Sequence, residues 1–172
     1  MSGKLSQYFE DLSIETETIR HPAFFTVEEG RTHKAEMPGG HSKNLFLRDK
    51  KKIFYLVVAW CDTAVDLVDL GKRIGAKGRL SFGSADKMAE ILGVEPGSVT
   101  PFALIHDGAS EISRVIVDER FMAFDRVWFH PLKNTASTSI APGDLLLFIE
   151  ACGHEPIVMD LGTSQDAKSS EA

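Results

Sequence analysis

The stretch Asn44-Leu-Phe-Leu-Arg-Asp-Lys-Lys-Lys-Ile-Phe-Tyr-Leu-Val-Val-Ala-Trp60 decides the fold. Two β-favouring runs, Asn44–Arg48 and Ile53–Trp60, flank the polar turn Asp49–Lys52, which is a hairpin signal. The second run is apolar on both faces, as in a strand inside a sheet. It is also the longest apolar stretch, far short of the ~20 residues a helix needs to cross a membrane. Upstream, Leu5, Tyr8, Phe9 and Leu12 have helical spacing, so a helix is expected over 5–12. Thr18–His21 reads as a strand stopped by Pro22. Thr26-Val-Glu-Glu29 has the capping-box form and predicts a helix from Val27 to about Ala35, ended by Pro38-Gly39-Gly40.

Downstream, Asp66–Ile74 reads as a helix and Arg79–Phe82 as a strand. Ser84 caps a helix over Ala85–Leu92 that Gly93 ends. Phe102–Ile105 and Arg114–Val117 read as strands separated by the turn His106-Asp-Gly108. Val127–Phe129, Ser137–Ile140 and Ile157–Leu161 are further strands, and Pro142 opens a helix that runs to Cys152. Mixed strands and helices with a hairpin predict an α/β fold: a mixed, largely antiparallel sheet with helices packed on it. The chain has 172 residues, 43% of them apolar, which suits one domain with a core of its own and excludes bulk disorder. That domain is expected over 1–161, with 162–172 a flexible tail. The Met-Ser-Gly-Lys start lacks a secretory hydrophobic region, so a cytoplasmic location is expected.

Two cysteines, Cys61 and Cys152, make neither a disulfide framework nor a four-cysteine zinc site, and each reads as a small buried hydrophobe. The net charge is −6, which argues against a nonspecific nucleic-acid binder. Its distribution is uneven. From Arg31 to Lys52 seven basic residues face two acidic ones, and Lys72, Arg73, Lys77 and Arg79 follow with no acid among them. An acidic protein can thus present one positive face to a polyanion. No phosphate-loop signature, zinc-peptidase or deaminase motif, or nucleophile elbow occurs. A metal site from His21, His33 and His41 is conceivable, but turn or core histidines account for that spacing more simply. Two loops remain, Gly39-Gly-His-Ser-Lys-Asn44 and Gly97-Ser-Val-Thr-Pro101, whose unencumbered amides can bind an oxyanion.

The series Gly40-His-Ser-Lys43-Asn-Leu-Phe-Leu47, Gly97-x-x-x-Pro101 and Phe129-His-Pro-Leu-Lys-Asn-Thr-Ala-Ser-Thr-Ser-Ile-Ala-Pro-Gly-Asp144 resembles the YbaK/prolyl-tRNA-synthetase editing-domain family. The resemblance runs from about Thr18 to Leu161 and is strongest to freestanding members that deacylate alanyl-tRNA(Pro). It implies hydrolysis, in trans, of a mischarged aminoacyl-tRNA, with no metal or organic cofactor. Lys43 matches the family lysine at the 3′-terminal adenosine. Gly97, Ser98, Thr100 and Pro101 match the loop against the aminoacyl ester, with Ser98 and Thr100 able to bond substrate or simply to close their own turn. His130, Asn134 and Thr135 lie in the segment that lines the pocket, and Lys50, Lys51 and Lys52 are placed to steer the acceptor stem. The implied partners are the acceptor end of mischarged tRNA(Pro) and prolyl-tRNA synthetase, with no membrane and no DNA. Two competing readings are an editor of another small residue (cysteine or serine) and a non-catalytic tRNA- or synthetase-binding module. A third is a metal hydrolase built on the histidines.

Overall fold

A computed structural model describes residues 3–23 and 36–162. The helix expected over 27–35, its Thr26–Glu29 cap and the tail beyond residue 162 lie outside them. The hairpin forms as its apolar runs require. Strands β2 (Gly40–Arg48) and β3 (Phe54–Trp60) pair antiparallel from Ser42↔Trp60 to Arg48↔Phe54. Phe54 to Ala59 are all buried, because β5 (Ile112–Asp118) runs parallel along the other edge of β3 and both faces are covered. Strand β8 (Pro156–Met159) adds parallel to β5.

On the far side of β2 lie β6 (Val127–Phe129), β7 (Ala136–Ile140) and β1 (Glu17–Arg20), completing the order β1-β7-β6-β2-β3-β5-β8. A two-residue strand, β4 (Ser81–Phe82), pairs with the end of β2. Four pairings are antiparallel and three parallel, so the sheet is mixed with a narrow antiparallel majority.

Alternation along the strands sorts side chains into two cores. Phe46, Leu56, Val58, Val115 and Val117 pack with α1 (Gly3–Asp11), α3 (Ala85–Leu92) and α4 (Pro142–Ala151). Leu47, Tyr55, Val57 and Ile116 pack on the opposite face with α2 (Leu67–Arg73). The helix ends follow local chemistry. Asp66 accepts from the Val68 and Asp69 amides at the start of α2. Ser84 caps α3, and Gly93, at φ +65°, closes it. No helix among the described residues is long and apolar enough to cross a membrane. Neither cysteine is in a disulfide, both are partly buried, and burial pushes the Cys152 thiol up to about 12.

Three expectations fail in instructive ways. Phe102–Ile105 is not a strand; Pro101–Ile105 forms a 3-10 helix, and the expected turn at His106 opens a second one, Asp107–Glu111. A short run that is apolar at every position carries no period, and here the deciding features are Thr100 as N-cap and Pro101 at the first helical position. β2 begins at Gly40, four residues earlier than expected, so Lys43 lies inside a strand rather than at its entry. The strand expected over 79–82 shrinks to Ser81–Phe82.

Asp49, 2% exposed, ties the hairpin turn to the neighbouring loop. Its carboxylate accepts from the amides of Lys51, Ile53 and Lys77 and from the Tyr55 hydroxyl. Burial by itself would raise its pKa, but these four donors outweigh burial and hold it below the ordinary 3.8. Its contribution to stability is therefore complete above that value and is lost as pH falls through the lower folded value. Asp49→Ala strands all four donors and should cost about 2–4 kcal/mol, read as a drop in the urea midpoint with unchanged slope.

Candidate active site

Strand β2 is paired along one edge but only partly along the other. On that second edge β6 covers only Gly40 and His41, and β4 covers only Leu47 and Arg48. Between them no strand among the described residues faces residues 42–45. The parallel register Gly40↔Val127 and His41↔Trp128, continued past the end of β6, brings His130 level with Lys43 where the two strands part. Lys43 is partly buried, and makes no ion pair among the described residues. His130 donates its Nδ1–H to the Ala136 carbonyl at 2.9 Å, which leaves Nε2 as the acceptor of the neutral ring. Burial lowers the His130 pKa, the Ala136 bond partly offsets this, and His21 lowers it further. The ring is therefore neutral at physiological pH.

Asn44 is the residue that reading the sequence missed. Ser42 Oγ donates to the Trp128 carbonyl at 2.8 Å and accepts from Asn44 Nδ2 at 3.2 Å. The single Ser42 proton is thus spent, and this orients the Asn44 amide with its nitrogen toward Ser42. Its Oδ1 is then buried and has no hydrogen-bond partner among the described residues. An unpaired buried acceptor costs about 1–3 kcal/mol, which a bound donor would recover. The signal in the sequence was a polar amide directly after Lys43, just before an apolar strand run.

The Gly97–Pro101 loop is held from below. Phe102, fully buried, meets Phe9, Phe129 and Phe148 edge-on at 5.3, 5.7 and 5.4 Å between ring centroids. Thr100 is fully buried, and its Oγ1 accepts from the Phe102 amide, so its hydroxyl shapes the loop. Pro101 is buried too. Ser98 is buried, and its amide donates to the Glu95 carbonyl. The amides of Gly97 and Val99 have no partner among the described residues. Gly97 stands at φ +90°, and a Cβ there would lie 3.6 Å from Asn134 Nδ2. The loop therefore meets the segment that leaves β6.

An aminoacyl-tRNA editing domain model matches residues 21–148, most of the chain. The chain belongs to the aminoacyl-tRNA editing domain family. It is 38% identical over 164 residues to the prolyl-tRNA synthetase associated domain-containing protein 1 of Mus musculus, spanning 93% of this chain and 96% of the relative. It is 34% identical over 146 residues to the prolyl-tRNA editing protein ProX of Acetoanaerobium sticklandii, spanning 84% and 88%. A solved structure described as a candidate trans-editing enzyme for prolyl tRNA synthetase superposes with TM-score 0.71 at 19% identity, covering 94% of this chain and 98% of that one, a likeness of fold.

Within this editing domain the remaining sequence-derived residues fall in different places. Asn134 is half-buried beside Gly97, and Thr135 is exposed, its carbonyl accepting from the His21 amide. Lys50 and Lys51 are exposed on the hairpin turn at the opposite end of β2 from Lys43. Of the three histidines once grouped as a metal site, His33 lies outside the described residues. His21 is bonded to Ser137 and Pro22, and His41 to the Met37 carbonyl while stacking on Trp128. Among the described residues no group of three or more His, Cys, Asp or Glu side chains is placed to hold a metal ion.

Proposed function

We propose that this chain is a trans-acting deacylase of mischarged alanyl-tRNA(Pro). The observation that supports the proposal is the parting of β2 from β6, where the extended register brings His130 level with Lys43 and the neighbouring Asn44 keeps a buried Oδ1 with no partner among the described residues. Lys43 binds the 3′-terminal ribose–phosphate, and Asn44 Oδ1 accepts a donor of the aminoacyl adenosine. The Gly97 and Val99 amides stabilise the oxyanion formed when water attacks the ester carbonyl. His130 Nε2 accepts from that water, and the ester bond breaks to release alanine and the ribose hydroxyl. An aminoacyl ester is already activated, so orientation and a few preorganised donors suffice.

The relatives named for prolyl-tRNA editing and for association with prolyl-tRNA synthetase support tRNA(Pro) as the carrier and the synthetase as a partner. A synthetase pocket built for proline rejects smaller alanine by only about 1–3 kcal/mol, so a second site that excludes the bulkier ring supplies the missing discrimination. The test is deacylation of tRNA(Pro) charged in turn with alanine, cysteine, serine and proline. Alanine should be released fastest and proline spared. The rate should rise with pH through the lowered His130 pKa and level off above it, since the ring must be unprotonated to accept from water. Tight tRNA binding without release of any amino acid would refute the proposal.

A further inference from the structure

We infer that His21 is a positioning residue for His130: its ring backs the His130 ring, and both are fastened to one short stretch of chain, Thr135 to Ser137. This role rests on the proposed function only for the task given to His130; the pairing of the rings stands on contacts of its own.

His21 directly follows β1 and is 7% exposed. β1 pairs antiparallel with β7, Arg20 opposite Ala136, and the His21 amide carries the ladder one step further by donating to the Thr135 carbonyl at 2.9 Å. Ile19 faces Ser137 in that register, so alternation puts the His21 side chain on the same side of the sheet as Ser137. There His21 Nε2 lies 2.8 Å from Ser137 Oγ, and Nδ1 lies 2.8 Å from the Pro22 carbonyl. A carbonyl only accepts, so Nδ1 carries a proton. In the neutral ring Nε2 then accepts from the Ser137 hydroxyl. When the ring gains a second proton, Nε2 becomes a donor and the same hydroxyl oxygen accepts from it. Both hydrogen bonds survive protonation, and His21 keeps one position in either charge state.

His130 reaches this stretch from the other side. It directly follows β6, donates its Nδ1–H to the Ala136 carbonyl, and has its ring centroid 6.2 Å from that of His21, the planes tilted by 55°. Residues 135, 136 and 137 thus hold His21 by its amide, His130 by Nδ1, and His21 again by Nε2. The His130 ring cannot turn into the space that His21 fills, and the nitrogen left to it, Nε2, is the one the proposed reaction uses.

An apolar side chain would fill the same buried space with no need of Ser137, since a buried hydrogen bond replaces one made with water and gains little net stability. What histidine adds is charge. Burial pulls the His130 pKa down, the Ala136 bond opposes this, and the charge of His21 lowers it further. Of the elements that meet at His130, the end of β1 brings His21, β2 brings Lys43, the turn after β6 brings Lys133, and the Gly97–Pro101 loop brings no charge. All three groups are cationic when protonated, so they act in one sense and keep Nε2 free to accept from water.

The experiment follows the His130 ring itself. A carbon-bound ring proton is titrated by NMR in the substrate-free protein, as wild type, His21→Gln, His21→Phe and Thr18→Val, alongside kcat and KM on alanyl-tRNA(Pro) across pH. His21→Gln keeps an amide for Ser137 but loses the ring and its charge, whereas His21→Phe keeps a ring and loses the charge. Thr18→Val breaks the neighbouring β1–β7 bond, Thr18 Oγ1 to Thr138 Oγ1 at 2.8 Å, and controls for a loosened strand pair. In the wild type the His130 signal should move in two steps, its own and a smaller one as His21 titrates. Both His21 variants should lose the smaller step and shift the main one to higher pH, the acid limb of kcat following it, because a neighbouring positive charge is gone. At the plateau His21→Gln should lower kcat about 10-fold with KM within about twofold, short of the ~10² that full misplacement costs, and His21→Phe should lower it less. Thr18→Val should lower the melting temperature and leave the titration and kcat in place. A single-step titration in the wild type, or an unmoved midpoint in both His21 variants, would overturn the inference, as would Thr18→Val reproducing their kinetic loss; His21 would then be a core residue and nothing more. A shifted midpoint in a protein that releases no amino acid from any charged tRNA would leave the paired rings standing and remove the deacylase reading.

Discussion

Lys43→Ala should cut kcat/KM on alanyl-tRNA(Pro) by about 10²-fold, the loss typical of misplacing a reacting ester once the contact that positions its terminal ribose–phosphate is gone. The protein should remain folded. Lys43 faces Ala59 across the hairpin and makes no ion pair among the described residues, so its removal strands no partner. Alanine is tolerated in a strand, and a substitution of this kind shifts stability by about 0.5 kcal/mol or less. Lys43→Arg keeps the charge but replaces a compact ammonium with a longer planar fork, so it should restore affinity more than rate. Deacylation kinetics with a thermal melt for each variant would separate these effects. If Lys43→Ala kept more than a tenth of wild-type activity, Lys43 would be an ordinary strand residue and the gap between β2 and β6 would lose its role.

The reason so much of this could be read from the sequence is that the informative features are local. The hairpin needs only two apolar runs and a polar turn, and α3 needs only Ser84 before it and Gly93 after it. Periodicity failed at Phe102–Ile105, where every position is buried and strand and helix look alike. The lysine and the Gly97–Pro101 loop were legible through their order and separation, which carried the family resemblance. Asn44 was not, because its interest depends on Ser42 having spent its only proton on Trp128, a residue 86 positions away along the chain. The tie that Asp49 makes between two loops was hidden for a similar reason. Asp49 counts in the sequence as one acid among lysines, and only folding turns its charge inward and brings Lys77 beside Lys50.

Gly97→Ala should reduce deacylation of alanyl-tRNA(Pro) at least as much as Lys43→Ala, for a different reason, and Gly75 provides the control that separates cause from strain. Both glycines sit at positive φ, +90° at Gly97 and +73° at Gly75. A Cβ at Gly75 meets nothing within 4 Å, so Gly75→Ala reports the backbone penalty alone. That penalty is about 1–2 kcal/mol, or a Tm lower by roughly 2–8 °C in a chain of this size. Gly97→Ala pays the same kind of penalty in a loop pinned at its far end by Pro101 and the Phe102 aromatic cluster. Strain there should be relieved by rotating the peptides between Gly97 and Thr100, which would swing the Gly97 and Val99 amides away from the proposed position of the oxyanion. The new methyl also lies 3.6 Å from the Asn134 amide, on the side where the loop meets the segment that leaves β6. The two variants should therefore melt within a few degrees of each other while differing by about 10²-fold or more in kcat. Equal activity in the two would mean that the loop contributes only its fold, and the oxyanion donors would have to be sought among the β2 amides of residues 42–45 instead.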